Sequence, residues 1–137
     1  MDKELVVREA LSEQMINAGA RLVERLDQSL SNVQAALWLF MPDEKIWKLI
    51  VISPLVKTDG PRRFYKRILE ANKKADESES VISLNDISVD DTSNSLINLL
   101  KLSIFTGSGT AGIRFSKNTI NGTFIEDCYI YRINIRT

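Results

Sequence analysis

The chain has 137 residues with 18 basic and 18 acidic side chains, an apolar fraction of 44% and no histidine. This length suits one domain over residues 1–137 with its own core, and a net charge of zero singles out no charged partner. Histidine is the side chain whose unperturbed pKa lies nearest neutrality, so its absence disfavours acid–base catalysis. We expect no cofactor and no metal site.

The longest uninterrupted apolar runs, residues 35–41 and 49–52, fall far short of the roughly 20 residues that cross a bilayer. The first residues lead into an amphipathic stretch and not into the apolar core of a secretory signal. A single cysteine, Cys128, leaves no second thiol in the chain for a disulfide. Together these features predict a cytoplasmic protein that does not enter the membrane.

Apolar residues three and four positions apart predict an amphipathic helix over residues 3–29. The helix could divide at Ser12, which can act as an N-cap, or at Gly19, since glycine costs about 1 kcal/mol relative to alanine inside a helix. Two roles for its apolar face stay open. The face packs on the protein's own sheet, or it contacts a second copy of the chain.

Two runs rich in aromatic and β-branched residues, residues 35–41 and 46–52, flank a polar turn and predict an antiparallel hairpin. Both strands are too apolar for one face to be wet, which places this hairpin centrally in a sheet. Trp38 and Trp47 are accordingly predicted as core residues.

The middle of the chain predicts two helices and a short strand. A helix over residues 61–74 begins after Thr58 and Asp59, with Pro61 in its first turn. Residues 76–80 form a polar, acidic segment that we expect to be a mobile loop. A short strand is predicted over residues 81–84, a loop over 85–95, and a helix over about 94–105 that ends at Gly107.

Asn121-Gly122 is the strongest short hairpin signal in the chain, because both central positions of such a turn need positive φ. It predicts strands over residues 113–120 and 123–133. A β-bulge near Glu126 and Asp127 would relieve a conflict in the alternation of the last strand. That alternation places Ile125, Tyr129, Tyr131 and Ile133 on one face and Phe124, Cys128 and Ile130 on the other.

The resulting order of elements is α-β-β-α-β-α-β-β. It predicts a single α+β domain in which three or four helices pack on a mixed, mainly antiparallel, five-stranded sheet.

A resemblance to other proteins rests on apolar, glycine and charged residues at positions spread along the chain. They are Ala35, Leu37, Trp38, Leu39, Trp47, Ser53, Pro54, Asp59 to Arg62, Tyr65, Gly112 to Phe115, Asn121, Gly122, Ile125 to Asp127, Tyr131 and Arg132. Through them most of the chain, from about Leu22 onward, resembles a family of small uncharacterised bacterial proteins. The resemblance implies a bacterial cytosolic origin and carries over no activity, cofactor or partner.

The basic helix is the best functional signal. Residues 57–74 hold seven basic and two acidic side chains, whereas residues 76–93 hold six acidic and no basic ones. Three explanations stay open: pairing with acidic segments of the same fold, contact with phosphate or nucleic acid, and contact with an acidic protein. The candidate anion contacts are Arg62, Arg63, Lys66 and Arg67 on this helix, with Arg114 and Lys117 from the last hairpin.

The loop Gly107–Gly112 matches G-x-G-x-x-G by its letters, but it follows a helix and opens a strand, which reverses the order of a dinucleotide site. It is interpreted as a helix C-cap and connection, or as an anion nest to which Arg114 and Lys117 supply charge. The adjacent Glu126 and Asp127 face opposite ways on a regular strand, so we expect ion pairs with Arg114 or Arg132.

Three hypotheses for function follow. The first is a non-catalytic cytosolic binding or assembly domain that acts through protein–protein contact, including a homodimer through the N-terminal helix or a strand edge. The second is an accessory protein that binds nucleic acid or phosphate through the basic helix. The third, ranked last, is an enzyme built on Glu126, Asp127 and Arg114. Catalytic residues are not assigned.

Overall fold

The computed structural model describes residues 4–7 and 9–135. The helices in this part of the chain are α1 (Glu13–Gln28), α2 (Leu55–Asp59), α3 (Pro61–Lys73) and α4 (Ser95–Leu100), with a 3-10 turn at Leu84–Asp86. The strands are β1 (Ala35–Met41), β2 (Ile46–Ile52), β3 (Ile87–Asp90), β4 (Ile113–Ile120) and β5 (Thr123–Ile133).

All five strands join one open sheet in the order β3-β2-β1-β5-β4. Strand β1 pairs antiparallel with β2 and β5, and β4 pairs antiparallel with β5. Strands β2 and β3 are parallel, with Leu49 opposite Ile87. The predicted fold class, an α+β fold with a mixed and mainly antiparallel five-stranded sheet, is confirmed.

The N-terminal helix is shorter than predicted. It begins at Glu13, where the Ser12 Oγ accepts the backbone N–H of Met15 at 3.1 Å, so Ser12 is its N-cap. Residues 4–7 and 9–12 are not helical, because the Leu5 N–H donates to the Val81 carbonyl at 2.7 Å and ties this segment to the rest of the chain. The predicted start at residue 3 lies outside the described residues.

The apolar face of α1 packs on the protein's own sheet. Met15, Leu22 and Leu26 are buried in one cluster with Trp38. Of the two roles left open for this face, the described structure supports packing within the molecule. The same cluster buries Trp47, so both tryptophans are core residues as predicted.

The third strand lies further along the chain than predicted. Val81 forms only an isolated bridge with Glu4, and the strand is Ile87–Asp90, inside the segment predicted as a loop. Its alternating pattern is only four residues long and stands among Asn, Asp and Ser residues, which favour turns when considered alone. Parallel pairing with β2 overrides that local preference.

Helix α4 begins as predicted and ends early. Asn94 caps it, since its Oδ1 accepts the Ile97 N–H at 3.0 Å, but the last helical residue is Leu100. The Thr106 N–H donates instead to the Ile133 carbonyl at 3.0 Å, which ties the following segment to β5. Gly107, predicted to end this helix, therefore lies in the connection beyond it, with φ at +77°.

The last hairpin forms over the predicted residues, with Asn121 and Gly122 at φ of +48° and +84°. The predicted β-bulge near Glu126 is not seen in the β4–β5 pairing, since the pairs Ser116–Asp127 and Asn118–Ile125 keep one register, although Lys117 between them takes a φ of +47°. The register shift lies elsewhere, in the β1–β5 pairing, where Ala36 faces Arg132 and Leu37 faces Ile130.

These irregularities change which side chains share a face of the sheet. Ile125 and Ile133 lie with Cys128 and Ile130 on the face opposite α1 and α3, so their predicted place beside the tyrosines is wrong. Each irregularity moves the alternation by one position, which strict period-two counting misses. Tyr129 and Tyr131 do share a face, as predicted.

The sheet separates two apolar clusters. The larger lies between the sheet and helices α1 and α3, and the smaller lies on the opposite face, where α4 and partly buried residues that follow it cover the strands. Helices with the length and apolarity needed to cross a membrane are absent from the described residues.

Candidate functional site

The predicted basic helix is α3, and most of its cations project from the surface. Arg62, Arg63 and Lys66 are exposed. Arg67 is half-buried, and its Nη1 donates to the Ser29 carbonyl at 3.3 Å and to the Ser31 Oγ at 3.4 Å. These bonds hold one guanidinium in place against the C-terminal end of α1.

The acidic segments form their close contacts with residues other than those of α3. Glu79 of the linker pairs with Arg25 on α1, and this hydrogen bond lowers the pKa of the Glu79 carboxyl. Asp90 accepts from the Asn94 side chain at 2.9 Å. Among the described residues α3 makes one ion pair, Glu70 to Lys73 at 3.6 Å within the helix itself. Of the three explanations left open, pairing within the fold therefore receives no support from an ion pair between α3 and residues 76–93 in the part of the chain that the structure describes.

A groove of about 280 Å³ follows one face of α3, and we call it the basic groove. Its charged lining consists of four cations and one carboxylate, and Ser29 and Ala71 complete it. The four cations are Arg63, Lys66, Arg67 and Lys74, and the carboxylate is Glu70.

Arg114 and Lys117 lie far from this groove, on β4 at one edge of the sheet, whereas α3 packs against α1 and against β3 at the other edge. Strands β2, β1 and β5 stand between. The six predicted contact residues therefore form two separate groups. Lys117 is exposed on the edge strand.

Arg114 is engaged by its own strand pair. Its Nε and Nη2 each donate to a carboxylate oxygen of Asp127 at 2.6 Å, as the sequence predicted, and this pairing raises the pKa of Arg114. The guanidinium carbon also lies 5.7 Å from the centre of the Trp47 ring. A carboxylate and an indole thus hold this half-exposed guanidinium in place.

The glycine loop is tied to β5 by hydrogen bonds of its own backbone. The Gly109 carbonyl accepts from the Arg132 Nε at 3.1 Å, and the Ala111 N–H donates to the Tyr131 carbonyl at 2.6 Å. The loop thus presents a carbonyl to the nearest cation and lies along β5. The cations predicted to supply charge, Arg114 and Lys117, belong to β4 beyond the loop.

Arg132, the other arginine considered as a partner for Glu126 and Asp127, pairs with Asp27 on α1. Its side chain is 5% exposed, and Nη1 and Nη2 donate to the two Asp27 oxygens at 2.9 and 2.8 Å. Nη1 also donates to the Val33 carbonyl at 2.9 Å. The pair borders a cavity of about 360 Å³ beside Ser108 and Asn134. Because 105 positions separate the two partners, local patterning could not predict them.

The groups weighed for catalysis do not converge. Asp127 is held by Arg114, while the neighbouring Glu126 lines a different groove, described next. Cys128 is buried, and this burial raises the pKa of its thiol to about 12. Within the described residues, cysteine and carboxylate side chains do not gather in a group of three or more that could hold a metal ion.

A second groove lies between the β1–β2 turn and the start of β5, with a volume of about 390 Å³, and we call it the hairpin groove. Its floor is apolar, with Leu39, Met41, Leu96, Phe124 and Ile125 among its residues. Its charged residues are all acidic, namely Asp43, Glu44 and Glu126. Sequence patterning missed this groove because it joins turns that are about 80 residues apart.

Comparisons with protein-family models, with curated proteins and with solved structures gave no match to this chain. The resemblance to small uncharacterised bacterial proteins stays a prediction.

Proposed function

We propose that this chain is a non-catalytic domain that works by binding another protein, and that the hairpin groove is its contact surface. One observation carries the proposal: the groove combines an exposed aromatic side chain, an apolar floor and charged residues of a single sign.

Phe124 provides the apolar anchor. Its side chain is 57% exposed, although the next residue of β5, Ile125, is buried. Covering a phenylalanine fully contributes about 1.5–3 kcal/mol, so a partner that buries the exposed part gains roughly 1 kcal/mol or more. Aromatic side chains are enriched at the centre of protein interfaces for this reason.

The carboxylates define the kind of partner. Asp43, Glu44 and Glu126 form no ion pair within 4 Å among the described residues, so their negative charge faces outward uncompensated. An apolar segment flanked by lysine or arginine matches both the floor and the rim. Charge complementarity of this kind raises association rates and excludes acidic partners.

The edge of the sheet favours binding of a different protein over pairing between two copies of this chain. Strand β4 is an edge strand, and an extended segment could add to it. Lys117 breaks its regularity with a φ of +47°, and an interrupted edge disfavours edge-to-edge pairing of identical chains. The single sign of the charges in the hairpin groove assigns this groove to a different, basic protein segment.

A random peptide display library panned against the full chain tests this assignment. We expect enriched peptides that carry apolar residues flanked by Lys or Arg, and about tenfold weaker binding to Phe124→Thr, which keeps a β-favouring side chain. Neutralising the rim with Asp43→Asn, Glu44→Gln and Glu126→Gln should also weaken binding and reduce its salt dependence.

Phe105→Thr is the matched control, because Phe105 is 69% exposed and lies outside the groove. Its binding should equal that of the parent chain. Enriched peptides without basic residues, or equal affinity for the Phe124 variant, would refute the proposal. Light scattering that finds a dimer dissociated by Phe124→Thr would also overturn it in favour of a second copy of the chain.

A further inference from the structure

The placing of cations on α3 is not explained by the stability of the helix. Its first turn contains Arg62 and Arg63 and no acidic residue, although cations there oppose the helix macrodipole. Arg63, Lys66 and Arg67 also stand three and four positions apart, a spacing at which like charges repel by a few tenths of a kcal/mol per pair. An anion in the basic groove would relieve both effects.

The basic groove is built to receive negative charge along its length. Four cations line it, and its one carboxylate, Glu70, is engaged by Lys73 at 3.6 Å. The Arg67 guanidinium is already fixed by its bonds to Ser29 and Ser31, so it loses little conformational freedom on binding. The remaining cations are exposed and free to adjust.

The length of the row of four cations in the basic groove indicates the class of ligand. Arg63 and Lys74 are eleven positions apart, which is about 16 Å along a helix with a rise of 1.5 Å per residue. A single phosphate group cannot contact both ends. Along the axis of a duplex one strand advances about 3.4 Å per phosphate, so the row is long enough to meet several phosphates of a nucleic acid backbone.

We propose that the basic groove binds the phosphate backbone of nucleic acid without reading its base sequence. Its lining contains no aromatic side chain on which bases could stack, so contact is limited to the backbone. This site is separate from the hairpin groove, whose charged residues are acidic, and the two proposals stand or fall independently.

Fluorescence anisotropy with a labelled 20-base-pair duplex of arbitrary sequence, titrated over a range of salt concentrations, tests the proposal. Neutralising four phosphates predicts a slope of log K against log salt of about −3.6. The variant Arg63→Gln with Lys66→Gln should reduce this slope by about 1.8 and weaken binding equally for unrelated sequences. Glutamine preserves helix propensity, and both side chains are exposed.

Arg21→Gln with Lys45→Gln is the matched control, because it removes the same charge from exposed residues outside the basic groove. Its slope should equal that of the parent chain. The unfolding midpoint of the groove variant should be unchanged or slightly raised, since it relieves repulsion; a structural role for these cations predicts a lowered one.

Three results would overturn the proposal. The first is no binding of the duplex at low salt, and the second is an equal loss of slope in both variants. The third is binding of vesicles containing phosphatidylglycerol, or of inorganic phosphate, with no binding of the duplex. Displacement of the duplex by millimolar inorganic phosphate alone would likewise show a single-anion site in place of a backbone site.

Discussion

The hydroxyl of Tyr131 occupies the space that a side chain on Gly19 would fill. A Cβ at Gly19 would lie 2.2 Å from the Tyr131 Oη. That hydroxyl donates to the Ile16 carbonyl at 2.6 Å and accepts from the Trp38 Nε1 at 3.0 Å. Because Gly19 has no Cβ, α1 and the sheet can approach this closely. The Tyr131 hydroxyl then forms hydrogen bonds that join the helix to the sheet.

Gly19→Ala should destabilise the fold despite the better helix propensity of alanine. The gain in propensity is about 1 kcal/mol, whereas the clash displaces a buried and hydrogen-bonded tyrosine, and such overpacking costs about 1–3 kcal/mol. Because the Cβ would overlap the tyrosine deeply, the cost lies near the top of that range, and we expect a net loss of up to about 2 kcal/mol in urea unfolding. Gly109→Ala is the control, because a Cβ there meets nothing within 4 Å. An equal or higher midpoint for Gly19→Ala would contradict the prediction.

Local patterns predicted the elements whose signals are contained in a few neighbouring residues. Asn121 and Gly122 predicted the last hairpin with its bounds, and the apolar runs around Trp38 and Trp47 predicted the first. Strand β3 was missed because its four residues become a strand by pairing with β2, and not through their own propensity.

The candidate functional residues show the same difference between local signals, which the sequence reveals, and contacts between distant segments, which it does not. The cations of α3 were predicted because they are adjacent in sequence and one helix presents them together. The grouping of Arg114 with them was not confirmed, since Asp127 holds that guanidinium at the opposite edge of the sheet. The hairpin groove and the Asp27–Arg132 pair depend on which distant segments meet, which requires the topology of the sheet.

Arg132→Met should destabilise the protein far more than Arg114→Met. Arg132 is almost fully buried, and its loss leaves the carbonyls of Val33 and Gly109 without a donor, so we expect a cost of about 3 kcal/mol. The Arg114 side chain is 48% exposed, and pairs of this kind contribute about 0–1 kcal/mol. Urea unfolding of the two variants measures the difference. If the two variants lose comparable free energy of unfolding, burial does not determine how much each ion pair stabilises the fold.

The thiol of Cys128 should be unreactive in the native protein. Burial raises its pKa to about 12, so the thiolate that reacts with disulfide reagents is scarce at pH 8, and the side chain is also shielded from the reagent. We expect Ellman's reagent to label less than a tenth of the thiol over minutes in buffer and all of it in guanidinium chloride. Rapid labelling of the folded chain would mean that β5 opens readily or that the thiol is activated.

Acid should release the linker from α1 by protonating Glu79. The hydrogen bond from Arg25 lowers the pKa of this carboxyl in the folded chain below its ordinary value of 4.5. A lowered folded pKa stabilises the fold above the unfolded value, and this stabilisation is lost as the pH falls through the folded one. Glu79→Gln should therefore lower the urea midpoint at pH 7 and lower it less at pH 3. Glu77→Gln is the control, because Glu77 is exposed and makes no ion pair among the described residues. Equal effects of Glu79→Gln at both pH values would show that Gln disturbs packing and that the charge of the pair contributes nothing.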